Sequence, residues 1–327
     1  MESIKRAFSK HLKIYILLGI LLCLIVIMST LTPGRFFTAR NFRSMSFQMA
    51  EFGILAIGMS LVILTGGIDL SISYTATLSS IMGALLMRSM VNNGMNPILT
   101  IIAGIVVIMI ISVICGAVNG FFVAYAGVLA ILVTLGTRSV FEGIGLNLTR
   151  GSAVSGMPDA FQFIGNGSVY GIPVPIIIYA IVAIKAYVIT RRTTWGVSVY
   201  MLGGNPRATE FSGVNTKAVL MKVYIMCGAL AGVAGVIMTS RYNSARTDYG
   251  FSYVMQSVAA SVLGGTDIMG GAGSVVGTVI AVAILQVIST GLNIFGMNRN
   301  LVDIINGLIL LIVLTINFFS ERKSRKV

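Results

Sequence analysis

Solid apolar runs follow one another along this chain, separated by short polar connections. Runs of about 20 apolar residues are long enough to cross a bilayer as helices. They predict spans near residues 14–31, 47–65, 71–88, 97–124, 128–148, 172–190, 217–240, 251–265, 274–296 and 302–319. The runs are continuous and do not alternate with period two, which excludes a β-barrel. One polar, basic interruption stands out, residues 191–214, RRTTWGVSVYMLGGNPRATEFSGV. Its core reads as a short helix with specified ends. Asn205 caps the first turn, Pro206 suits the first helical position, and Gly213 supplies the left-handed stop. A helix of about two turns is unstable alone in water. It needs a surface to dock on.

Composition supports this pattern. Hydrophobic residues make up 56% of the 327 and charged residues 10%, against about 25% charged in a soluble domain. The fold class is an all-α polytopic membrane protein of about ten transmembrane helices, with residues 1–327 forming a single transmembrane domain. The net charge of +13 does not point to nucleic acid, because the basic residues flank the spans as the positive-inside rule requires. Ten spans place both termini on one side, the cytoplasmic one. There they join an N-terminal segment 1–13, a loop 191–216 and a basic tail 320–327. The cationic excess on that side is modest because Arg35, Arg40 and Arg43 crowd one outer loop. The first run has the basic flank of a signal peptide but no small-x-small cleavage site, so it reads as an uncleaved span. Cys23, Cys115 and Cys227 lie in apolar runs without metal-ligand spacing and read as packing residues. The single histidine, His11, reads as solvated.

Two spans end in the same way. Span 47–65 runs into Gly66-Gly67-Ile68-Asp69, and the short span 251–265 into Gly264-Gly265-Thr266-Asp267. Such breaks line cavities in transporters; alternatively Asp69 and Asp267 simply cap the helices that follow. Pairs spaced GxxxG at Gly116/Gly120, Gly228/Gly232 and Gly273/Gly277 predict close helix packing. Polar residues within spans are costly and therefore candidates for function: Gln48, Glu51, Asn119, Arg138, Glu142, Lys185, Gln256, Gln286, Asp303 and Asn306. Glu51 and Asp303 fall within about a turn of predicted span ends, where snorkelling to water is easy. Arg138 and Glu142, four apart on a helix, have the spacing of an ion pair. Gln48, Asn119, Thr134, Thr137, Gln256 and Asn306 are the expected solute path. The outer loop 147–171 suits a cap on which a soluble partner lands. There is no P-loop, HExxH, GxSxG or Cys/His cluster. No enzymatic activity, metal or cofactor is expected.

Several motifs, taken in order, carry a resemblance. They are Ala56-Ile57-Gly58-Met59 leading to Leu64-Thr65-Gly66-Gly67-Ile68-Asp69-Leu70-Ser71, then Asn119-Gly120 and Thr134-Leu135-Gly136-Thr137. Gly203-Gly204-Asn205 with Ala208 and Ser212-Gly213-Val214 follow, and finally Leu263-Gly264-Gly265-Thr266 with Gly270-Gly271 and Gly273. The chain resembles the permease subunit of bacterial ABC importers of the ribose, galactoside, xylose and autoinducer-2 class, over nearly its whole length after the first span. It departs at Leu129, where a proline is usual, at Val254 and Gln256, where acidic residues are common, and at Glu142, where a basic one is. The resemblance implies a type II ABC importer-like fold in the bacterial plasma (inner) membrane. It implies a cytoplasmic coupling helix whose ATPase contacts are Gly203, Gly204, Asn205, Ala208, Thr209, Ser212 and Gly213. The implied partners are cytoplasmic ATP-binding subunits, an extracytoplasmic solute-binding protein and a second permease subunit, identical or paralogous, with a sugar or sugar-like cargo. The competing reading is an ion-coupled secondary transporter using Glu51, Asp69 or Asp303; a non-transporting scaffold would not need so many intramembrane polar groups.

Overall fold

The computed structural model describes residues 2–298 and, beyond them, 301–302, 304–305, 307–309, 311–312 and 315, with side chains from residue 12 onward. Asp303, Asn306 and the basic tail 320–327 lie outside the described residues, as does half of the last predicted span. Helices account for most of the described residues. They are α1 (Glu2–Leu31), α2 (Ala39–Leu64), α3 (Ile72–Asn92), α4 (Pro97–Ala124) and α5 (Ala130–Thr149). After a 3-10 turn come α6 (Gln162–Asn166) and a hairpin of β1 (Ser168–Val169) and β2 (Ile172–Pro173). The chain continues with α7 (Val174–Arg192), α8 (Thr194–Gly204), α9 (Pro206–Phe211), α10 (Thr216–Tyr242), α11 (Tyr253–Leu263) and α12 (Val275–Ile294). Six of these, α1, α2, α4, α7, α10 and α12, are long and apolar enough to cross a membrane. The other long helix early in the chain, α3, is more polar: Ser73, Thr75, Thr77, Ser79 and Ser80 are all buried in it. The hydroxyls of Thr77 and Ser79 turn back onto the helix, to the Tyr74 and Ala76 carbonyls, and that of Ser80 reaches across to the Gly235 carbonyl at 3.1 Å.

The centre of the bundle is α2. Every residue from Ala50 to Leu64 is buried, the signature of a helix surrounded on all sides. Its neighbours α7, α10, α11 and α12 complete one apolar core with it. Peripheral helices show an apolar stripe on their outer face instead. On α4, Ile98, Ile102, Val106, Ile110 and Ile114 are exposed at a spacing of four, one face of a helix turned outward. The opposite face of α4 meets α10 through glycine. A Cβ on Gly116 would sit 3.0 Å from the Gly228 Cα and against the Tyr224 carbonyl. This is the close approach that the GxxxG spacing predicts.

At one end of the bundle three glycine-rich segments meet without side chains between them: the α2–α3 connection, the C-terminus of α8 and the α11–α12 connection. The Gly271 N–H donates to the Leu64 carbonyl at 2.9 Å. A Cβ on Gly203 would collide with that same carbonyl and with the Gly271 nitrogen. Gly66 and Gly270 stand at φ +80° and +88°, a region only glycine enters freely.

Gly203 and Gly204 therefore give opposite expectations although they are adjacent in one helix. Gly203→Ala forces backbone apart and is expected to destabilise the full chain in detergent by at least the about 1–3 kcal/mol typical of overpacking. Gly204 has nothing near its missing Cβ, so Gly204→Ala should be neutral or stabilising by up to about 1 kcal/mol. Thermal unfolding of both variants checks this; equal effects would mean that the packing at Gly203 is looser than described.

Candidate functional site

A polar cavity of about 230 Å³ opens between α2, α11, α12 and the end of α10. Gln48 and Phe52 enter from α2, Arg241 and Tyr242 from α10, Tyr253 and Gln256 from α11, and Gln286, Ser289 and Asn293 from α12. On α12 these last three are three and four residues apart, one helical face. Gln286 donates to the Gln48 side-chain carbonyl at 3.1 Å and to the Thr290 hydroxyl at 2.9 Å. Through Ser252 the cavity adjoins two more, of about 200 and 370 Å³, lined by Arg138, Phe251 and Met255 and by Asp248, Tyr249 and Phe251 respectively. Loop 147–171 is bound to the same end of α10. Ser240 accepts from the Gly165 N–H at 2.6 Å, and Asn166 donates to the Arg241 carbonyl at 3.0 Å.

The wall of this cavity is fixed by one buried carboxylate. Glu51 is fully buried and accepts from the Arg241 guanidinium at 2.9 Å, the Tyr253 hydroxyl at 2.7 Å and the Tyr242 hydroxyl at 3.3 Å. It does not snorkel. Helix α2 starts at Ala39, about two turns earlier than the apolar run indicates, so Glu51 sits near its middle. The Arg138–Glu142 ion pair is also absent. Arg138 donates to the Tyr74 hydroxyl at 3.1 Å instead, and its guanidinium lies over the Tyr74 ring.

A second polar cluster lies where α2 gives way to α3. Asp69 Oδ1 accepts from the Ser71 N–H at 2.9 Å and from the Ser71 hydroxyl at 2.7 Å, and Oδ2 accepts from the Cys227 thiol at 3.5 Å. Asn119 donates to Ser71 Oγ at 2.7 Å, and Thr134 to the Ile68 carbonyl at 3.0 Å. Asp69, Asn119 and Thr134 are all buried. Asp69 is not the cap of α3; that position is Ser71, which Asp69 holds. Asp267 likewise accepts from the Met269 N–H in its own loop, while Ser274 caps α12. Both aspartates brace the breaks that precede a helix. Asn119 and Thr134, placed on the solute path by sequence, face this brace rather than the cavity, and Thr137 contacts the Thr134 carbonyl. Gln48 and Gln256 do line the cavity. Cys227, expected only to pack, is a donor in the cluster.

The interruption at 191–214 holds two helices. Thr193 caps α8, and Asn205 caps α9 by accepting from the Ala208 N–H at 3.0 Å. Gly213 stands at φ +81°, the left-handed stop expected. Asn205, Ala208, Ser212 and Gly213 are exposed, Thr209 is buried, and Gly203 faces the glycine junction. Phe211 is 92% exposed, an aromatic ring left without cover. Behind α8, Tyr200 and Arg191 both donate to the Gly273 carbonyl, at 3.2 and 3.1 Å. Burial pushes the Tyr200 phenol above its ordinary value, and the nearby Arg191 charge opposes that shift.

Arg241, Tyr242, Tyr253, Ser289 and Asn293, none of them a candidate from the sequence, also line this cavity. The signal was present in the periodicity of Gln286, Ser289 and Asn293 on one face of α12. Arg241 was hidden because a basic residue at a span end has an ordinary topological explanation.

Residues 41–314 match the family described as branched-chain amino acid transport system / permease component. The chain is 36% identical over 299 residues to the ribose import permease protein RbsC of Bacillus subtilis (strain 168), covering 91% of this chain and 90% of that protein. It is 34% identical over 275 residues to the D-allose transport system permease protein AlsC of Escherichia coli (strain K12), covering 84% and 82%. It is 33% identical over 276 residues to the autoinducer 2 import system permease protein LsrD of Escherichia coli (strain SMS-3-5 / SECEC), covering 82% and 81%. No solved structure matches the chain.

Removing one partner from a buried ion pair strands the other charge, at a cost of about 3–5 kcal/mol. Glu51→Gln and Arg241→Gln should each lower the unfolding temperature strongly, and the double variant by less than the sum of the two. A double-mutant cycle on the purified chain reads this coupling; strict additivity would show that the pair contributes nothing. At the break, Asp69→Asn keeps an acceptor for Ser71 and should preserve most stability. Asp69→Leu leaves two donors, the Ser71 N–H and O–H, without an acceptor and should cost about 1–3 kcal/mol for each.

Proposed function

The chain belongs to the permease family described as branched-chain amino acid transport system / permease component; it is a multi-pass membrane permease subunit of an ABC importer, and we propose that its cargo is a sugar or sugar-like solute. The observation that carries the cargo class is the lining of the 230 Å³ cavity. An amino acid carries an ammonium and a carboxylate, and each would need an opposite charge once desolvated. Among the described residues the one cation on that wall, Arg241, is already neutralised by Glu51. What remains is a set of amides, hydroxyls and aromatic rings that suits a neutral polyol. The named relatives, permeases of ribose and D-allose import, agree with it.

In this reading residues 1–327 form one permease domain of about ten spans with both termini cytoplasmic. It acts beside a second permease subunit, identical or paralogous, in the bacterial inner membrane. An external binding protein releases solute at the α10–α11 end, over the cap formed by loop 147–171. Solute passes Gln48 and Gln256, with Arg241, Tyr253 and Gln286 beside them. At the opposite end α9 is the coupling helix, presenting Asn205, Ala208, Phe211, Ser212 and Gly213 to a cytoplasmic ATPase subunit. Closure of two ATPases around ATP displaces α9. Because α9 continues from Gly203, and Gly203 rests on the α2–α3 and α11–α12 connections, both breaks move with it. ATP shifts the access equilibrium only through contacts that differ between the two states. Of the carboxylates an ion-coupled mechanism would use, Glu51 is paired with Arg241 and Asp69 is enclosed by neutral donors, while Asp303 lies outside the described residues.

Two measurements test this. In proteoliposomes holding the permease, its ATPase and its binding protein, uptake should require internal ATP and persist after a protonophore and a sodium ionophore. Uptake that followed the gradients and ignored ATP would overturn the reading. Ala208→Asp and Phe211→Ser should reduce co-purification of the ATPase while leaving membrane insertion unchanged. Intact recovery and uptake in both would remove α9 as the contact. For cargo, Gln48→Leu and Gln256→Leu should lower ribose-stimulated uptake more than they lower stability.

A further inference from the structure

A larger cavity, of about 570 Å³, lies at the α9 end of the bundle, between α1, α7 and the start of α12. Lys13 and Arg191 stand at its polar side, and Ile14, Leu17, Tyr187 and Val276 form its apolar wall. Among the described residues no carboxylate lines it, and Lys13 has no ion-pair partner. Arg191 is held in place by one bond to the Gly273 carbonyl and by the Tyr200 ring at 5.2 Å from its guanidinium carbon. A guanidinium has five N–H donors, so most remain for a ligand. The first N–H groups of α12 have no helical partner, as at any helix N-terminus, and add a favourable field for negative charge.

The apolar wall does not stop at this cavity. Tyr187 and Val276 also line an adjoining cavity of about 270 Å³ that runs along α7 and α12 and is lined by apolar side chains such as Ile184, Val279 and Ile280. Ile184 is 64% exposed on the outer surface of the bundle, so this groove opens toward the acyl chains of the bilayer. Cations at one end and an apolar trough at the other match one kind of molecule in charge and in shape.

We propose that this groove is a binding site for an anionic glycerophospholipid, its phosphate held between Lys13 and Arg191 and one acyl chain lying along α7 and α12. Basic pockets between transmembrane helices bind such headgroups on general electrostatic grounds. A free phosphate would satisfy the cations but leave the trough unused. A zwitterionic lipid would bring its own cation against Lys13. The site rests on the membrane reading of the chain and is independent of what the transporter carries.

The full chain, purified in detergent and stripped of lipid, would be titrated with phosphatidylglycerol, with phosphatidylcholine of the same acyl chains, and with glycerol phosphate. Thermal unfolding and native mass spectrometry would be read together. Phosphatidylglycerol alone is expected to raise the unfolding temperature and to remain as a bound adduct. Lys13→Gln should weaken its apparent affinity about fivefold, in line with the contribution of one basic residue facing an anionic lipid. Val276→Trp, which fills the trough, should abolish the adduct, and Lys217→Gln, an exposed cation outside the groove, should change neither readout. Arg191→Gln is measured against its own lipid-free baseline because Arg191 also ties down Gly273. Equal stabilisation by phosphatidylcholine, an undiminished response in Lys13→Gln and Val276→Trp, or equal protection by glycerol phosphate would each overturn the proposal. No ATPase, nucleotide or sugar is present, so failure here leaves the importer reading untouched.

Discussion

The structure depends on a layer in which backbone packs directly on backbone. At Gly203, Gly66 and Gly270–Gly271, three chain segments approach so closely that a single Cβ on Gly203 would strike the Leu64 carbonyl. Side chains in a core can change rotamer and absorb a small displacement; main chain locked by a hydrogen bond such as Gly271 N–H to Leu64 cannot. The α2–α3 break, the α11–α12 break and the α8–α9 pair thus share one joint. In the importer proposed above, ATP-driven work enters at the α9 face and solute is received at the opposite one, and such a joint is a means of passing a displacement between them.

The opposite end follows a different rule. There the contacts are between long polar side chains, and the segments they join come from distant parts of the sequence. Glu51 on α2 gathers Arg241 and Tyr242 from α10 and Tyr253 from α11. In the low dielectric of a membrane protein a lone carboxylate would be costly, so the cluster holds α2, α10 and α11 together or leaves a buried charge unpaired. That arrangement fixes one wall of the polar cavity while its other walls remain amide and hydroxyl groups. A glycine joint at the C-terminal end of α2 and a charged knot near its middle thus anchor that helix at two levels.

Much of this was legible in the sequence, for physical reasons that can be named. Apolar length located the helices, because a chain in lipid has to satisfy its own backbone. Asn205, Pro206 and Gly213 delimited α9, because capping chemistry is local. The GGxD repeats marked both breaks, since positive φ and close approach demand glycine. Three-dimensional partnership was not legible. Arg138 has a carboxylate four residues away on its own helix, yet it bonds to Tyr74, sixty-four residues distant. Asn119 has the polarity of a solute ligand but spends it on Ser71. Glu51 was misjudged because α2 extends beyond its apolar run, through Arg40 and Arg43, so hydropathy placed its end too late. Family motifs identified the class of machine, but the residues lining the cavity lie mostly outside those motifs.

The most direct test of the glycine joint is a pulsed electron paramagnetic resonance measurement on the assembled transporter, with spin labels at the exposed residues Phe211 on α9 and Met269 in the second break. If the joint carries the stroke, the Phe211–Met269 distance distribution stays fixed when ATP is added, while the distance from Phe211 to a label at Tyr125, at the end of α4, shifts. A Phe211–Met269 distance that changes with ATP, or a Phe211–Tyr125 distance that does not, would contradict that role.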